Sequence, residues 1–566
     1  MTRELRSWLR PGRIALVTLA VLLAAVAVAC GGGDGGQVTD QLAPDQEFRL
    51  RIAGDPSTFD PQLAAVAEEI SVVKQLFRGL FTYDEGLNVV PAVALEVPTK
   101  ENGGISEDSL TYTIKLRQDA QWSDGQPVTA HDFVYAFQRL FDPEAGAQGY
   151  YFDFYTAIEG AEAFAYGEGG SAEGVGVTAV DDYTLQIKLA RPQPTLPTLL
   201  ALWPASPLRK DLIEQYGDAW TEPGNLAGNG PFVLAEYTPE QQIVLEANPN
   251  YVSDDQPTLQ RLVYRIIPDD SAALIAYQNG EIDMTAIPLA DAARFEGDSE
   301  QVRYAQLETF AVQYNNGAAP FDNPLVRQAF SRAIDRDAYV LAVRQGVGAT
   351  ALGWLPPGMP GASASIGQDL GFDPEAARSL LAEAGFPDGE GFPSVALTIV
   401  DDESNRLTAE FLKEQLSKNL NVSIEIETLE EGLFFDRYFE SDFQVTWLSW
   451  FADYADPENW LPGMFGTEGG FNVLGYSNPE VDELFAKAAT ELDQATRLAL
   501  YDQAHRIIIQ DQAITPVFHP ERNYLVKAHV ADLTTTVLDA EPGDWFVSNV
   551  RILATGAPPA SEPDEE

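Results

Sequence analysis

One segment places acidic side chains among large aromatic ones. Residues 447–460 read WLSWFADYADPENW, in which Asp453 and Asp456 lie among three tryptophans, Phe451 and Tyr454. A carboxylate buried alone among aromatic rings is unfavourable, because nothing replaces its lost water. The segment is therefore either a surface loop whose acids face solvent, or a recess in which Asp453 binds a cationic group of a ligand.

No other combination of residues suggests catalysis or metal binding. The four histidines, His131, His505, His519 and His529, form no HExxH pair, and a single cysteine rules out a cluster of thiolate ligands. GxSxG is absent, and the glycines of GVGVTA (174–179) run into an alternating stretch that favours a strand over a phosphate-binding helix. We therefore predict a protein that is not an enzyme and holds no metal or cofactor.

The ends of the chain differ in composition from its body. Four arginines precede an apolar run at 14–28, which is typical of a secretory signal over residues 1–29. The following Cys30 completes AVAC, which resembles a bacterial lipobox and implies a lipidated cysteine; the alternative is an ordinary signal with an incidental cysteine. We predict a flexible tether over 30–46 and a disordered acidic tail over 554–566.

Size and charge limit the architecture and the partners. A chain of 566 residues is too long for one hydrophobic core, so two or three lobes are expected. The net charge of -51 would repel phosphate backbones, which excludes nucleic acid as a partner. An acidic surface suits a soluble exported protein, and adaptation to high salt remains an alternative.

Periodicity predicts a mixed α/β body. Residues 110–117 and 182–189 alternate apolar and polar side chains, as half-buried strands do. Asn323-Pro324, Asp373-Pro374 and Asn478-Pro479 each combine a capping residue with a first-turn proline, and so predict helix starts. The third is expected to open a helical region that runs to about Gln512, and Thr129 is expected to cap a further helix.

Several longer segments resemble the bacterial extracellular solute-binding proteins of family 5. The most specific is YTIKLRQDAQWSDGQPVTAHDFVYAFQRLFDP at 112–143, followed in the family's order by NLAGNGPFVL (225–234), FDNPLVRQAFSRAIDR (321–336) and WFADYADPENWL (450–461). The resemblance covers about residues 47–553. It implies a three-lobed periplasmic-binding-protein-like fold of type II.

The family resemblance also implies the division into lobes. Lobe I would be discontinuous, with parts at 47–88, 195–303 and 518–553. Lobe II would be the strand-rich insertion 89–194, and lobe III, joined by a hinge, would be 304–517. Ligands of the family lie between lobes I and III.

The same resemblance implies the binding residues. The oligopeptide binders of the family use the aspartate of a W-x-A-D-Y motif to bind the α-amino group of a peptide, and this motif reads Trp450-Phe451-Ala452-Asp453-Tyr454 here. The aromatic residues of the motif would surround the first side chain of the peptide. Across the cleft, Ala65-Val66-Ala67 would offer main-chain hydrogen bonds, with Tyr155 as a further contact.

The sequence departs from the family's pattern at a position that would bind the carboxylate of a ligand. Trp447 occupies a position at which an oligopeptide binder carries an arginine, so a cation for ligand carboxylates is missing there; Arg406 is a candidate replacement.

The family implies a monomeric lipoprotein outside the cytoplasmic membrane that captures short peptides and delivers them to an ABC importer. The sequence leaves open two alternatives: another solute in the same fold (a dipeptide, nickel, haem, a sugar or an opine), or a signalling or adhesion lipoprotein on this scaffold.

Overall fold

The computed structural model describes residues 38–253 and 256–555. The predicted signal peptide, Cys30 and all of the predicted tail beyond Thr555 lie outside the described residues. The strands are β1 Val38–Leu42, β2 Glu47–Ile52, β3 Phe81–Tyr83, β4 Val89–Pro91, β5 Thr111–Lys115, β6 Val177–Asp181, β7 Thr184–Lys188, β8 Phe232–Thr238, β9 Gln242–Ala247, β10 Arg261–Ile266, β11 Met284–Ala286, β12 Gln301–Ala305, β13 Glu308–Tyr314, β14 Ala349–Thr350, β15 Val395–Val400, β16 Ile424–Leu429, β17 Val445–Phe451, β18 Ile514–His519, β19 Glu521–Val526, β20 Val530–Ala531 and β21 Arg551–Thr555.

Helices alternate with these strands, which confirms the predicted mixed α/β class. They are α1 Ala67–Leu76, α2 Ala130–Phe141, α3 Ala161–Ala165, α4 Leu196–Leu199, α5 Lys210–Tyr216, α6 Asp270–Gln278, α7 Pro324–Ala333, α8 Arg336–Ala342, α9 Pro374–Glu383, α10 Glu403–Leu420, α11 Glu431–Phe439, α12 Pro462–Phe465, α13 Pro479–Ala488 and α14 Gln494–Gln510.

Two large mixed sheets organise the molecule. The first has the order β12-β19-β11-β2-β10-β9-β8, and its strands come from three separate stretches of the chain. The second has the order β14-β18-β13-β17-β15-β16, with β13 antiparallel to both β17 and β18. A segment of two residues, 306–307, joins β12 of the first sheet to β13 of the second, so the two sheets are directly connected there.

A third sheet contains the two strands that alternation predicted. β5 and β7 pair antiparallel, and the inward residues Tyr112, Ile114, Leu185 and Ile187 are buried as expected. β6 extends this sheet on the other side of β7, so the second half of the glycine-containing segment 174–179 is a strand.

The predicted helix starts are confirmed. Asn323, Asp373 and Asn478 each accept a hydrogen bond from a backbone N–H of the first turn that follows. At the start of α2, the carboxylate of Asp132 accepts from the N–H of Thr129 at 2.7 Å. The helical region after Asn478 is divided, because α13 ends at Ala488 and α14 starts anew behind its own cap, Asp493.

The prediction of a flexible tether over 30–46 is wrong for part of that range. Residues Val38–Leu42 form β1, which pairs antiparallel with β21 near the other end of the described chain. The local sequence carries no sign of this, because the hydrogen bonds that hold β1 are made with residues distant in sequence. The first two residues of the predicted tail, Ala554 and Thr555, likewise belong to β21.

Candidate ligand-binding cavity

The aromatic segment begins as strand β17 and continues into a cavity. β17 pairs with β13 along its whole length, whereas β15 pairs with it only at Val445 and Thr446. On the side of β15, the backbone from Ser449 onward therefore has no strand beside it among the described residues.

The hydrogen-bond pattern identifies which backbone groups face this open edge. The N–H of Ala452 donates to the carbonyl of Leu307 at 2.8 Å, so even-numbered residues of β17 bond towards β13. In an antiparallel pair the bonded positions alternate. The N–H and C=O groups of Ser449 and Phe451 consequently point to the open edge.

A cavity of about 420 Å³ adjoins this edge. Five consecutive residues, 449–453, line it. Successive side chains of a strand lie on opposite faces, so a cavity beside one face would contact only every second residue. The unbroken run means that the strand presents its edge to the cavity.

Asp453 is held in place by reciprocal hydrogen bonds. Asn459 donates through Nδ2 to Oδ2 of Asp453 at 2.8 Å, and accepts through Oδ1 from the N–H of Asp453 at 2.9 Å. The side chain of Tyr151 lies close to this carboxylate and favours its ionised form. Asp453 therefore has a fixed orientation at the cavity wall.

No cation in the described part of the chain compensates the charge of Asp453. Burial raises the pKa of its carboxyl to about 6, while the hydrogen bond from Asn459 and the nearby hydroxyl of Tyr151 act in the opposite direction. A carboxylate that is desolvated, hydrogen-bonded and without a counter-ion is suited to bind a ligand cation.

The opposite wall comes from the start of α1. The carboxylate of Glu69 accepts from the N–H groups of Ala65 at 2.8 Å and Val66 at 3.3 Å. These two donors, which the sequence analysis assigned to ligand binding, are therefore occupied. The carbonyl of Ala65 and the N–H of Ala67 have no backbone partner among the described residues, and both residues line the cavity.

Tyr150, Tyr151 and Trp203 complete an aromatic wall that the sequence analysis missed. Tyr151 packs edge-on against Trp203, with ring centroids 5.0 Å apart. The Nε1 of Trp203 donates to the carbonyl of Ala64 at 3.0 Å, which fixes the backbone next to Ala65. Nothing local in the sequence marks Tyr151, because its role depends on a contact with Asp453, about 300 positions away.

The structure brings Trp450, Phe451, Ala452 and Asp453 together with Ala65 and Ala67 at the cavity. Val66 lies beside it and is half exposed. Tyr454 is buried behind the wall, where its hydroxyl donates to Glu458 at 3.2 Å.

Two of the expected site residues lie away from this cavity. Tyr155 is fully buried and donates to the carbonyl of Leu199 at 2.8 Å. Arg406 is exposed on α10 and pairs with Asp401. Trp447 is also not part of the lining: it is buried in the core, stacked on Phe310 with ring centroids 5.5 Å apart.

Three further charged residues line the cavity. Lys74 of α1 forms an ion pair with Asp544 at 2.7 Å. Glu308 accepts a hydrogen bond from Ser449 at 2.7 Å, and burial raises the pKa of its carboxyl. Arg522 lies at the start of β19. Within the described ranges, no cluster of His, Cys, Asp and Glu is arranged to hold a metal ion, and no helix is long and apolar enough to span a membrane.

Comparison with known proteins identifies the family. The sequence profile of the bacterial extracellular solute-binding proteins, family 5 Middle, matches residues 88–472, more than half of the chain. The chain belongs to this family. It is a solute-binding protein of the type II periplasmic fold and not an enzyme.

Named proteins of this family align with most of the length of this chain. The periplasmic oligopeptide-binding protein OppA of Escherichia coli is 31% identical over 501 residues, covering 87% of this chain and 90% of its own. The periplasmic murein peptide-binding protein MppA of the same organism is 31% identical over 504 residues, covering 86% and 90%. The structure of Listeria monocytogenes OppA bound to peptide superimposes with a TM-score of 0.71 and a sequence identity of 27%. The match covers 90% of this chain and 99% of the Listeria chain.

Proposed function

We propose that this protein is an extracytoplasmic lipoprotein, anchored through Cys30, that captures short peptides with a free amino terminus and delivers them to an ABC importer. The peptide lies in the cavity between lobe I (47–88, 195–303 and 518–553) and lobe III (304–517). The names of its relatives support peptide as the ligand, since both OppA and MppA are peptide-binding proteins.

The observation that carries this proposal is the environment of Asp453. Its carboxylate is desolvated, oriented by Asn459, and without a cation among the described residues. The α-ammonium group of a peptide supplies the missing charge. The resulting charge-assisted hydrogen bond is strong once closure of the lobes excludes competing water.

The open edge of β17 supports recognition of the peptide backbone. An extended peptide beside Ser449 and Phe451 can pair with their N–H and C=O groups, as an added strand does. Such bonds are independent of the peptide's side chains. The carbonyl of Ala65 and the N–H of Ala67 offer further groups from the opposite wall.

The same arrangement supports a hinge movement of the lobes as part of this proposal. The site uses residues from both large sheets, so a ligand contacts both lobes and favours a closed arrangement over an open one. The closed form is then the one that the importer recognises.

Calorimetry tests the role of the amino group. We expect Ala-Ala-Ala to bind and N-acetyl-Ala-Ala-Ala to bind far more weakly. Replacing Asp453 by Ala should weaken binding of the free peptide by about 3–5 kcal/mol, the usual cost of an unpaired buried charge. Asp119→Asn, at an exposed carboxylate paired with Arg117, is the matched control and should bind as the native protein does. Equal affinity for the free and the acetylated peptide would refute the proposal.

A further inference from the structure

The two cationic side chains that line the cavity differ in how they are paired. Lys74 is buried, forms its ion pair with Asp544 at 2.7 Å and lies 4.2 Å from the ring centroid of Trp545. It is therefore fully engaged by the protein itself. Arg522 makes no ion pair within 4.0 Å among the described residues, and its Nε is buried without a hydrogen-bond acceptor.

Two further residues, one in β12 and one just after it, also have buried polar atoms without a partner among the described residues. Tyr304 lies directly opposite Arg522 in the β12–β19 pair, and its buried hydroxyl has no partner. Gln306, two residues further along, has a buried Nε2 that also lacks an acceptor. Of the three residues, Arg522 lines the cavity. Buried donors are normally paired, so its unpaired Nε at the cavity wall indicates that an acceptor is missing.

Nearby carboxylates balance the charge of Arg522 only through space. Burial lowers the pKa of its guanidinium, and nearby groups that include Glu541 and Glu308 raise it through space, but neither carboxylate forms an ion pair with it. Glu308 is engaged by Ser449, and Glu541 accepts from the hydroxyl of Tyr524 at 3.0 Å. The fork of donors on Arg522 therefore remains available for a planar, bidentate acceptor, and a carboxylate has this geometry.

We propose that Arg522 binds a carboxylate of the peptide, so that the cavity selects ligands carrying a cation for Asp453 and an anion for Arg522. This rests on the proposed function. The carboxylate comes from the C-terminus of a very short peptide or from an acidic side chain. Because Asp453 follows β17 and Arg522 belongs to β19, the two charged ends of one ligand join the two large sheets.

Affinities for a free peptide and its C-terminal amide test this inference. We expect native protein to bind Ala-Ala-Ala at least tenfold more tightly than Ala-Ala-Ala-amide. Arg522→Gln should lose most of that ratio, and Arg522→Lys, which keeps the charge without the planar fork, should retain an intermediate ratio. Melting temperatures of the variants show whether they are folded.

A second arginine provides the matched control. Arg344 also acts on Glu308 through space, but its guanidinium packs over Phe518 at 4.9 Å and does not line the cavity. Arg344→Gln should preserve the ratio. An equal loss in both variants would mean that the effect is a long-range field, and would overturn the assignment.

A second pair of peptides distinguishes the source of the carboxylate. If native protein prefers Ala-Ala-Glu-amide to Ala-Ala-Gln-amide, and Arg522→Gln does not, the partner is an acidic side chain. If native protein binds acid and amide alike, and Glu and Gln alike, the inference is wrong. The proposed function would still stand in that case, because it depends on the acetylated peptide and on Asp453.

Discussion

The carboxylate of Asp456 accepts hydrogen bonds from both terminal nitrogens of Arg497, at 2.7 and 2.6 Å, and the two side chains form a buried bidentate ion pair. Arg497 lies in the first turn of α14, and Asp456 caps the short helical turn 457–459 by accepting from the N–H of Glu458. That turn carries Asn459, the residue that orients Asp453. The ion pair thus connects the ligand-binding carboxylate to a long helix of the core.

Arg497→Met should destabilise the protein and weaken peptide binding. The variant leaves Asp456 buried without a counter-ion, which costs roughly 3–5 kcal/mol of the free energy of unfolding. Loss of the anchor also frees Asn459, so affinity for Ala-Ala-Ala should fall even at temperatures where the variant is folded. Urea denaturation and calorimetry measure the two effects.

The double variant Arg497→Met/Asp456→Asn separates charge from packing. We expect it to recover much of the lost stability, because no isolated buried charge remains. Arg506→Met, at an exposed arginine paired with Asp502 four residues earlier, should change stability by less than about 1 kcal/mol. A double variant as unstable as the single one would contradict the electrostatic explanation.

Peptide affinity should depend on pH through Asp453. The pKa of its carboxyl is about 6 without ligand, and the ammonium group needs the ionised form. Below pH 6 a proton must leave before binding, so affinity should fall towards tenfold per pH unit. Above about pH 8 the amine of the peptide loses its own proton, and affinity should fall again.

Calorimetry between pH 4.5 and 9 checks this profile. Asn459→Ala removes a hydrogen bond that lowers the pKa of Asp453. In this variant the acid limb, meaning the fall of affinity at low pH, should therefore begin at a higher pH. Asp453→Asn should bind weakly with no acid limb. A native profile that is flat from pH 5 to 7 would refute the assignment of the acid limb to Asp453.

Acid should destabilise the fold through His505. Burial lowers the pKa of this imidazole to about 3, and its neutral Nε2 accepts from the N–H of Trp354 at 2.8 Å. An unfolded histidine titrates near 6.5, so stability present above that pH is lost as the pH falls towards 3. By pH 4 the loss is roughly 3 kcal/mol for this residue.

The variant His505→Gln keeps an acceptor for Trp354 but cannot take up a proton. Comparing the free energy of unfolding at pH 7 and pH 4, we expect the variant to lose roughly 3 kcal/mol less than the native protein. Other groups titrate equally in both proteins and cancel in the comparison. Identical losses would show that His505 does not contribute.

Local patterns in the sequence predicted what depends on neighbouring residues. Cap-and-proline pairs gave the starts of α7, α9 and α13, and alternation gave β5 and β7, because these elements follow from local backbone preference and one-sided burial. The composition of 447–460 also indicated a costly carboxylate, without showing whether it faced solvent.

The site's remaining parts depend on contacts between distant segments. Tyr151 and Arg522 look ordinary in sequence. Tyr151 reaches Asp453 from a turn before the short helical segment 152–155, and Arg522 approaches Glu308 from β19, so both depend on contacts between distant parts of the chain. Arg406 was favoured by resemblance, yet it lies on a helix surface with Asp401. Tyr155 was also proposed from the resemblance, but its hydroxyl donates to the carbonyl of Leu199 inside the core.

The pairing of β1 with β21 places the two ends of the described chain side by side, since Val38 is the Cα partner of Thr555. A short linker could join these positions and leave the fold uninterrupted, so new termini could be opened in a distant surface loop. Fluorescent labels attached at positions 38 and 555 would report from the same point of the molecule, and a label pair for following lobe movement must therefore be placed elsewhere.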